Sequence, residues 1–226
     1  MLRPSIYLFL NGPFEPERAW PGRPPEGALI MAADGGAGHV KTLGWPIDLF
    51  VGDLDSASVS LVDSLAKGPG FKSLIYPKDK DQTDFELLFS LAVDYLLSPG
   101  EITVCCGLGR RWDMTAANLI LPFAGPWRKR WLGSRIVFLA GLTEIFCLQG
   151  PAELTLPGDI SFSLIPVRKR AGPVSLTGEV SYPLDKGFLS WGLTLGLSNE
   201  TGSGGGRLFL EQGFLLVTCA PKNALE

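Results

Sequence analysis

Short apolar runs alternate with amphipathic stretches over the first two thirds of the chain, and the alternation stops near residue 140. Residues 6–10, 28–33, 49–51, 72–76, 102–106 and 135–139 are brief and apolar. Several are apolar without interruption, the pattern of strands buried on both faces. Between them, Phe85, Leu88, Phe89, Ala92 and Leu96 recur at helical spacing. They follow Thr83-Asp84-Phe85-Glu86, which has the spacing of a capping box. Residues 112–123 predict another helix, ended near Pro122. Strands alternating with helices predict a mainly parallel sheet.

From Glu144 onward the helical period disappears. Residues 145–148, 153–156, 160–167, 174–182, 188–191, 207–210 and 214–218 predict strands. Gly/Pro-rich turns separate them, and the run 202–206 reads as a flexible turn of this kind. The predicted fold class is therefore α/β plus all-β. A three-layer α/β domain with a mainly parallel sheet spans residues 1–142, and an antiparallel β-sandwich spans 143–226.

Composition narrows the function. Hydrophobic residues make up 46% and charged residues 19% of 226, enough to bury a sizeable core. A net charge of −3 lacks the basic excess of a nucleic-acid footprint, so no nucleic-acid partner is expected. No run of 18 apolar residues and no signal-peptide layout occur, so the expectation is a cytoplasmic protein without a membrane partner. Cys105, Cys106, Cys147 and Cys219 lie in strand-like runs without a Cys-x-x-Cys spacing and read as reduced packing residues. The single histidine, His39, excludes a His-rich metal site and a Ser-His-Asp triad. It reads as a helix-surface residue. The triplets Arg128-Lys129-Arg130 and Arg168-Lys169-Arg170 read as solvated charge.

No Gly-x-x-x-x-Gly-Lys-Ser/Thr loop is present. What stands out is where the aspartates fall. Asp34 follows one strand and precedes Gly35-Gly36. Asp53 and Asp55 follow the next. Asp79, Asp81 and Asp84 follow another, and Asp113 comes after Gly107-Leu108-Gly109-Arg110-Arg111. In a parallel α/β sheet these loops emerge at the carboxyl edge, where ligands bind. Carboxylates gathered there repel one another unless a cation neutralises them, and oxygen ligands without His or Cys suit Mg²⁺. Lys78, Lys80, Arg110 and Arg111 interleave with the acids and can hold phosphate oxygens. With Leu54 extended and turned inward, Asp53 and Asp55 would share a side.

Taken in order, Ala33-Asp34-Gly35-Gly36-Ala37, Gly52-Asp53-Leu54-Asp55-Ser56 and Lys78-Asp79-Lys80-Asp81-Gln82-Thr83-Asp84-Phe85-Glu86 resemble the motifs of thiamine pyrophosphokinases. Gly107-Leu108-Gly109-Arg110-Arg111-Trp112-Asp113 is similar to that family's Gly-x-Gly-Gly-Arg-x-Asp-His. In the second domain, Val174-Ser175-Leu176-Thr177-Gly178, Tyr182-Pro183-Leu184 and Ser198-Asn199-Glu200 resemble its thiamine-side segments. The chain departs from the family at Arg110 (for Gly), Met114 (for His) and Gly38 (for Asn), and between Gly178 and Tyr182 it is one residue longer.

The resemblance implies transfer of pyrophosphate from ATP to the hydroxyl of thiamine, giving thiamine diphosphate and AMP. It implies Mg²⁺ on Asp53, Asp55 and Asp84, with Asp113 and Arg111 on the phosphate side. ATP would meet Asp34, Gly35, Gly36, Lys78, Lys80, Thr83, Arg110 and Asn118. Thiamine would meet Ser175, Tyr182, Ser198 and Asn199. It also implies a homodimer with the active site at the subunit interface. Three other readings stay open: a pyrophosphokinase acting on another hydroxymethyl heterocycle such as a pterin, a non-catalytic thiamine- or nucleotide-binding homologue, and a haloacid-dehalogenase-like phosphatase.

Overall fold

The apolar runs of the first two thirds form six strands: β1 (Ser5–Phe9), β2 (Leu29–Ala33), β3 (Leu49–Gly52), β4 (Lys72–Ile75), β5 (Glu101–Cys105) and β6 (Arg135–Ala140). The computed structural model describes residues 5–14, 18, 20–54, 59–65, 70–96 and 99–222. The chain divides into two units, Met1–Gly141 and Leu142–Glu226.

In the first unit the strands lie in the order β6-β5-β1-β2-β3-β4, each pair parallel. All four residues of β3 are buried, as are the last four of β2 and of β5, as expected where both faces are covered. Helices α1 (Gly36–Leu43), α2 (Val59–Leu65), α3 (Asp84–Tyr95) and α4 (Trp112–Ile120) fill the connections. The chain walks outward from β1 to β4, then returns to the far side of β1 to lay down β5 and β6. Right-handed crossovers then put α1 and α2 on one face and α3 and α4 on the other.

Local chemistry explains the helices. Thr83 Oγ1 accepts the Glu86 amide at 3.1 Å and so caps α3. The stripe Phe85, Leu88, Phe89, Ala92 and Val93 is buried, and the helix packs on β1, β2 and β3. Each of its larger side chains contributes roughly 1.5–3 kcal/mol by leaving water. Helix α4 runs into a 3₁₀ turn, Leu121–Phe123, that carries Pro122. Helix α1 ends at Gly44, whose φ of 68° lets its amide reach the Lys41 carbonyl.

The second unit contains strands β7 (Thr143–Gln149), β8 (Ala152–Leu156), β9 (Ile160–Pro166), β10 (Arg170–Val180), β11 (Leu184–Ser190), β12 (Asn199–Leu210) and β13 (Phe214–Pro221). All its pairings are antiparallel. The start of β12 pairs with β9, beside β13 and β7, and the remainder pairs with β10 and β8. One long strand is thus shared by two sheets, and β10 and β11 meet β13 and β9 across them.

One sequence expectation fails here. The run 202–206 lies inside β12 and is not a turn. Glycine is needed because backbone crowds it: a Cβ on Gly205 would sit 2.4 Å from the Leu156 carbonyl oxygen, and one on Gly206 would sit 2.9 Å from that of Thr177. A register shift lies opposite, between Gly178 and Val180.

All four cysteines are free and buried. Burial pushes the Cys219 thiol up to about 12, with Glu144 adding to the shift, and burial raises that of Cys147 as well. Among the described residues no helix is long and apolar enough to cross a membrane.

Candidate active site at the switch point of the parallel sheet

The reversal of strand order around β1 opens a crevice between the carboxyl ends of β1 and β5, where ligands enter such sheets. A cleft of about 410 Å³ lies there. Its walls include Asn11 and Gly12 after β1, Asp34 after β2, Asp53 after β3, Asp84 at the start of α3, and residues 106–111 after β5. Past the strand ends the Leu10 amide donates to the Cys105 carbonyl (3.0 Å), and the Gly12 amide donates to that of Cys106 (2.7 Å). The two loops run so close that a Cβ on Gly12 would lie 2.2 Å from the Cys106 carbonyl oxygen.

Three non-glycine residues lining the cleft, Asp34, Cys106 and Arg110, hold left-handed backbone, with φ of 45°, 56° and 46°. Such conformations cost of order 1–3 kcal/mol each and cluster where side chains must be aimed. Asp34 is buried, and its amide donates to the Val51 carbonyl at 2.9 Å. Gly35 makes room for Asn11: a Cβ there would sit 2.1 Å from Asn11 Oδ1.

Two of the three expected metal ligands converge. Lys80 Nζ lies 3.1 Å from Asp84 Oδ1 and 4.0 Å from Asp53 Oδ2. The third, Asp55, lies outside the described residues. Among the described residues no three His, Cys, Asp or Glu side chains form a metal-type cluster. Leu54 has a φ of 64°, left-handed and not extended. The extended Leu54 on which the expectation of a shared side for Asp53 and Asp55 rested is therefore not found.

The remaining expected nucleotide and phosphate residues divide. Arg110 and Arg111 line the cleft, and so does Asn118, whose Nδ2 donates to the Gly107 carbonyl at 2.7 Å. Asn118 is buried, so it fixes the loop after β5 from behind. Asp113 is not among the lining residues. It forms a two-point pair with Arg111, at 3.2 Å and 2.5 Å, with both side chains largely in solvent. The Arg111 guanidinium, hydrogen-bonded to it, holds the Asp113 carboxyl below the usual carboxylate range. Thr83 spends its hydroxyl as the cap of α3, Gly36 is buried against β1, and Lys78 is exposed.

Sequence reasoning missed Asn11, Thr115 and the part His39 plays. Thr115 Oγ1 accepts the Gly109 amide at 2.9 Å. His39 is half-buried. Its Nε2 donates to the Gly12 carbonyl at 3.0 Å, and its ring stacks on Phe14 with centroids 5.3 Å apart. Burial lowers its pKa below 6.5. The expected helix-surface residue is thus a brace behind the loop after β1.

The second unit carries its own groove, of about 340 Å³, lined by Thr143, Ser161, Ser163, Ser198, Asn199 and Thr218 among others. Ser198 takes a φ of 56°, and its amide donates to Ser163 Oγ at 3.1 Å. Asn199 is buried, and its amide group grips the Tyr182 backbone: Oδ1 accepts from Tyr182 N (3.0 Å) and Nδ2 donates to Tyr182 O (2.8 Å). Tyr182 itself is 66% exposed. Ser175 Oγ accepts the Lys186 amide at 3.3 Å. Neither Tyr182 nor Ser175 lines the groove.

Fold and cleft together define a doubly wound α/β domain with an acidic, arginine-flanked cleft at its switch point. Residues 26–127 match the family model described as thiamin pyrophosphokinase, catalytic domain, and the first unit belongs to that family. Solved structures of similar fold include thiamine pyrophosphokinase from Bacillus subtilis, at 23% identity and a TM-score of 0.77 over 96% of this chain and 99% of that one. They also include the thiamin pyrophosphokinase of Geobacillus thermodenitrificans, at 22% and 0.73 over 97% and 99%. A third, from Candida albicans, aligns at 15% and 0.73 over 97% and 90%. At these identities the likeness establishes the fold. No curated protein matches the sequence.

Proposed function

We propose that this protein transfers the pyrophosphoryl group of ATP to the hydroxyethyl oxygen of thiamine, releasing AMP. The observation that carries the reading is the switch-point cleft of the family-matched domain, in which Asp34, Asp53, Asp84, Arg110 and Arg111 line one space. Guanidinium and ammonium groups beside an acidic cluster suit a metal–phosphate substrate.

Asp53 and Asp84 already share one cation, the Lys80 ammonium, and offer only hard oxygen donors, so they fit Mg²⁺. Asp53, Asp84 and, on the motif, Asp55 would hold it. When bound, the ion neutralises charge that builds on the phosphate oxygens during transfer. The chain's own residues position the reactants. Arg110 and Arg111 bind phosphate oxygens, and Asp113 orients the Arg111 fork through its two-point pair. Asn118 and Thr115 hold the loop after β5. Gly35, Gly36, Lys78 and Thr83 would complete the nucleotide side.

In the second unit, the exposed Tyr182 ring offers a face on which a heterocycle can stack, held in place by Asn199, with Ser175 and Ser198 supplying polar contacts. The protein acts as a cytoplasmic homodimer. The side chains of Trp191, Leu193 and Leu195, 69%, 67% and 68% exposed, support an association surface.

A second reading, a non-catalytic binding homologue, is favoured by Met114, which puts a thioether on the cleft wall where the family's motif has histidine. Incubation with ATP, Mg²⁺ and a panel of alcohols tests both. AMP formed with thiamine supports the transferase, and AMP formed only with a pterin-type alcohol reassigns the acceptor. Binding of ATP and thiamine without AMP supports the second reading.

A further inference from the structure

Lys80 sits between two carboxylates that line the cleft. It follows the exposed segment 77–79 and precedes α3 by one turn, four residues before Asp84. Its ammonium reaches Asp84 Oδ1 at 3.1 Å, Asp53 Oδ2 at 4.0 Å and the Pro77 carbonyl at 3.3 Å. The Lys80 and Asp53 side chains are each only 13% exposed, so this is not a solvated surface pair. Asp53 comes from β3 and Asp84 from α3, so a single side chain ties together two carboxylates from separate elements. Without a positive charge between them, those carboxylates would repel across a half-buried gap.

We propose that Lys80 is a built-in counter-ion: in the nucleotide-free protein its ammonium closes the carboxylate pair and competes with the divalent cation. The proposal rests on the metal-dependent reading of the cleft given above. A divalent ion held by Asp53 and Asp84 would face the ammonium at close range. Charges of +2 and +1 about 4 Å apart repel enough to weaken binding roughly thirtyfold even at water-like dielectric. The ammonium therefore has to withdraw when the metal enters, and an incoming phosphate gives it a new anionic partner. Metal would then bind weakly to the free protein and strongly with nucleotide, because the phosphates both ligate the ion and take up Lys80. This is a positioning and ordering role for Lys80, additional to phosphate binding.

The test measures Mn²⁺ binding by paramagnetic resonance on the full chain without nucleotide, comparing wild type with Lys80→Met and Lys80→Arg. Lys80→Met should bind Mn²⁺ about tenfold more tightly than wild type, somewhat less than the full repulsion because the wild-type ammonium can withdraw. Lys80→Arg, which keeps the charge, should stay near wild type. Metal-free Lys80→Met should also melt at a lower temperature than wild type, and Mn²⁺ should restore it. If Lys80→Met does not fold without metal, Lys80→Gln is read in the same way. Metal affinity in the uncharged variant equal to or weaker than wild type overturns the proposal, even if the melting temperature falls, because Lys80 is then only a structural tie. If wild type takes up no Mn²⁺ even with ATP present, the metal-dependent reading fails and the proposal fails with it.

Discussion

Two glycines in one helix should respond to alanine in opposite directions. Gly36 opens α1 where it crosses β1, and a Cβ there would sit 2.1 Å from the Phe9 carbonyl oxygen, 2.5 Å from its carbon and 3.0 Å from the Leu10 nitrogen. All three are backbone atoms at the end of a strand that lies between two others, so no side chain can swing away. An ordinary contact needs about 1 Å more, and only a shift of α1 off the sheet supplies it. Overpacking of this kind costs roughly 1–3 kcal/mol, and a rigid backbone neighbour puts it at the upper end. Against that, alanine is favoured over glycine in a helix by about 1 kcal/mol. The clash wins, leaving a net loss of about 2 kcal/mol, or a melting temperature lower by roughly 4–8 °C at this chain length. Two residues on, Gly38 has nothing within 4 Å of its would-be Cβ. Gly38→Ala keeps only the propensity term and should raise the melting temperature by roughly 1–4 °C. The assay is thermal unfolding followed by tryptophan fluorescence. Because Gly36 lies two residues after Asp34, Gly36→Ala should also raise the KM for ATP. A Gly36→Ala variant as stable as wild type, or a Gly38→Ala variant less stable, would show that close packing does not set the need for glycine here.

Other consequences follow from the same geometry. His39 is the single histidine, and burial lowers its pKa, so its ring resonances should titrate with a midpoint below 6.5. Unfolding then takes up a proton as pH falls below 6.5, so stability should decline on that side, and His39→Asn should flatten the decline measured by urea titration at pH 7 and pH 5. Asn118→Leu strands the Gly107 carbonyl, which should cost about 1–3 kcal/mol in chemical denaturation and raise the KM for ATP. Tyr182→Ala removes a ring that is 66% exposed, so the melting temperature should hold while the KM for thiamine rises; an unchanged KM would remove Tyr182 from the acceptor site.

The parallel strands were legible because runs such as 49–51 are apolar without a break, and only two-sided burial makes that pattern. Helix α3 announced itself through Thr83 and its buried stripe. Helix α1 showed only in the reading of His39 and could not be delimited, because Gly36 and Gly38 are poor helix formers and its start is fixed by close packing on β1. The glycines at 202–206 read as a turn for the same reason: composition reports backbone freedom, while the requirement there was close approach between strands. In the site, the acidic residues could be read because each follows an apolar run. Asn11 could not, since its place beside the cleft depends on β5 lying next to β1, a fact of strand order. The grip of Lys80 on Asp53 was hidden likewise, because the two are far apart in sequence and meet only in three dimensions.

In the proposed reaction ATP gives up its two outer phosphoryl groups together, to thiamine. Its most direct test is incubation of the full chain with Mg²⁺, thiamine and ATP labelled at the γ-phosphate, with the products separated by chromatography. The label should move into thiamine diphosphate with one AMP formed per molecule, and Asp53→Asn should lower this by about two decades, since charge neutralisation at phosphate is worth several kcal/mol. Label appearing as free phosphate or in thiamine monophosphate, with ADP as the companion product, would contradict it.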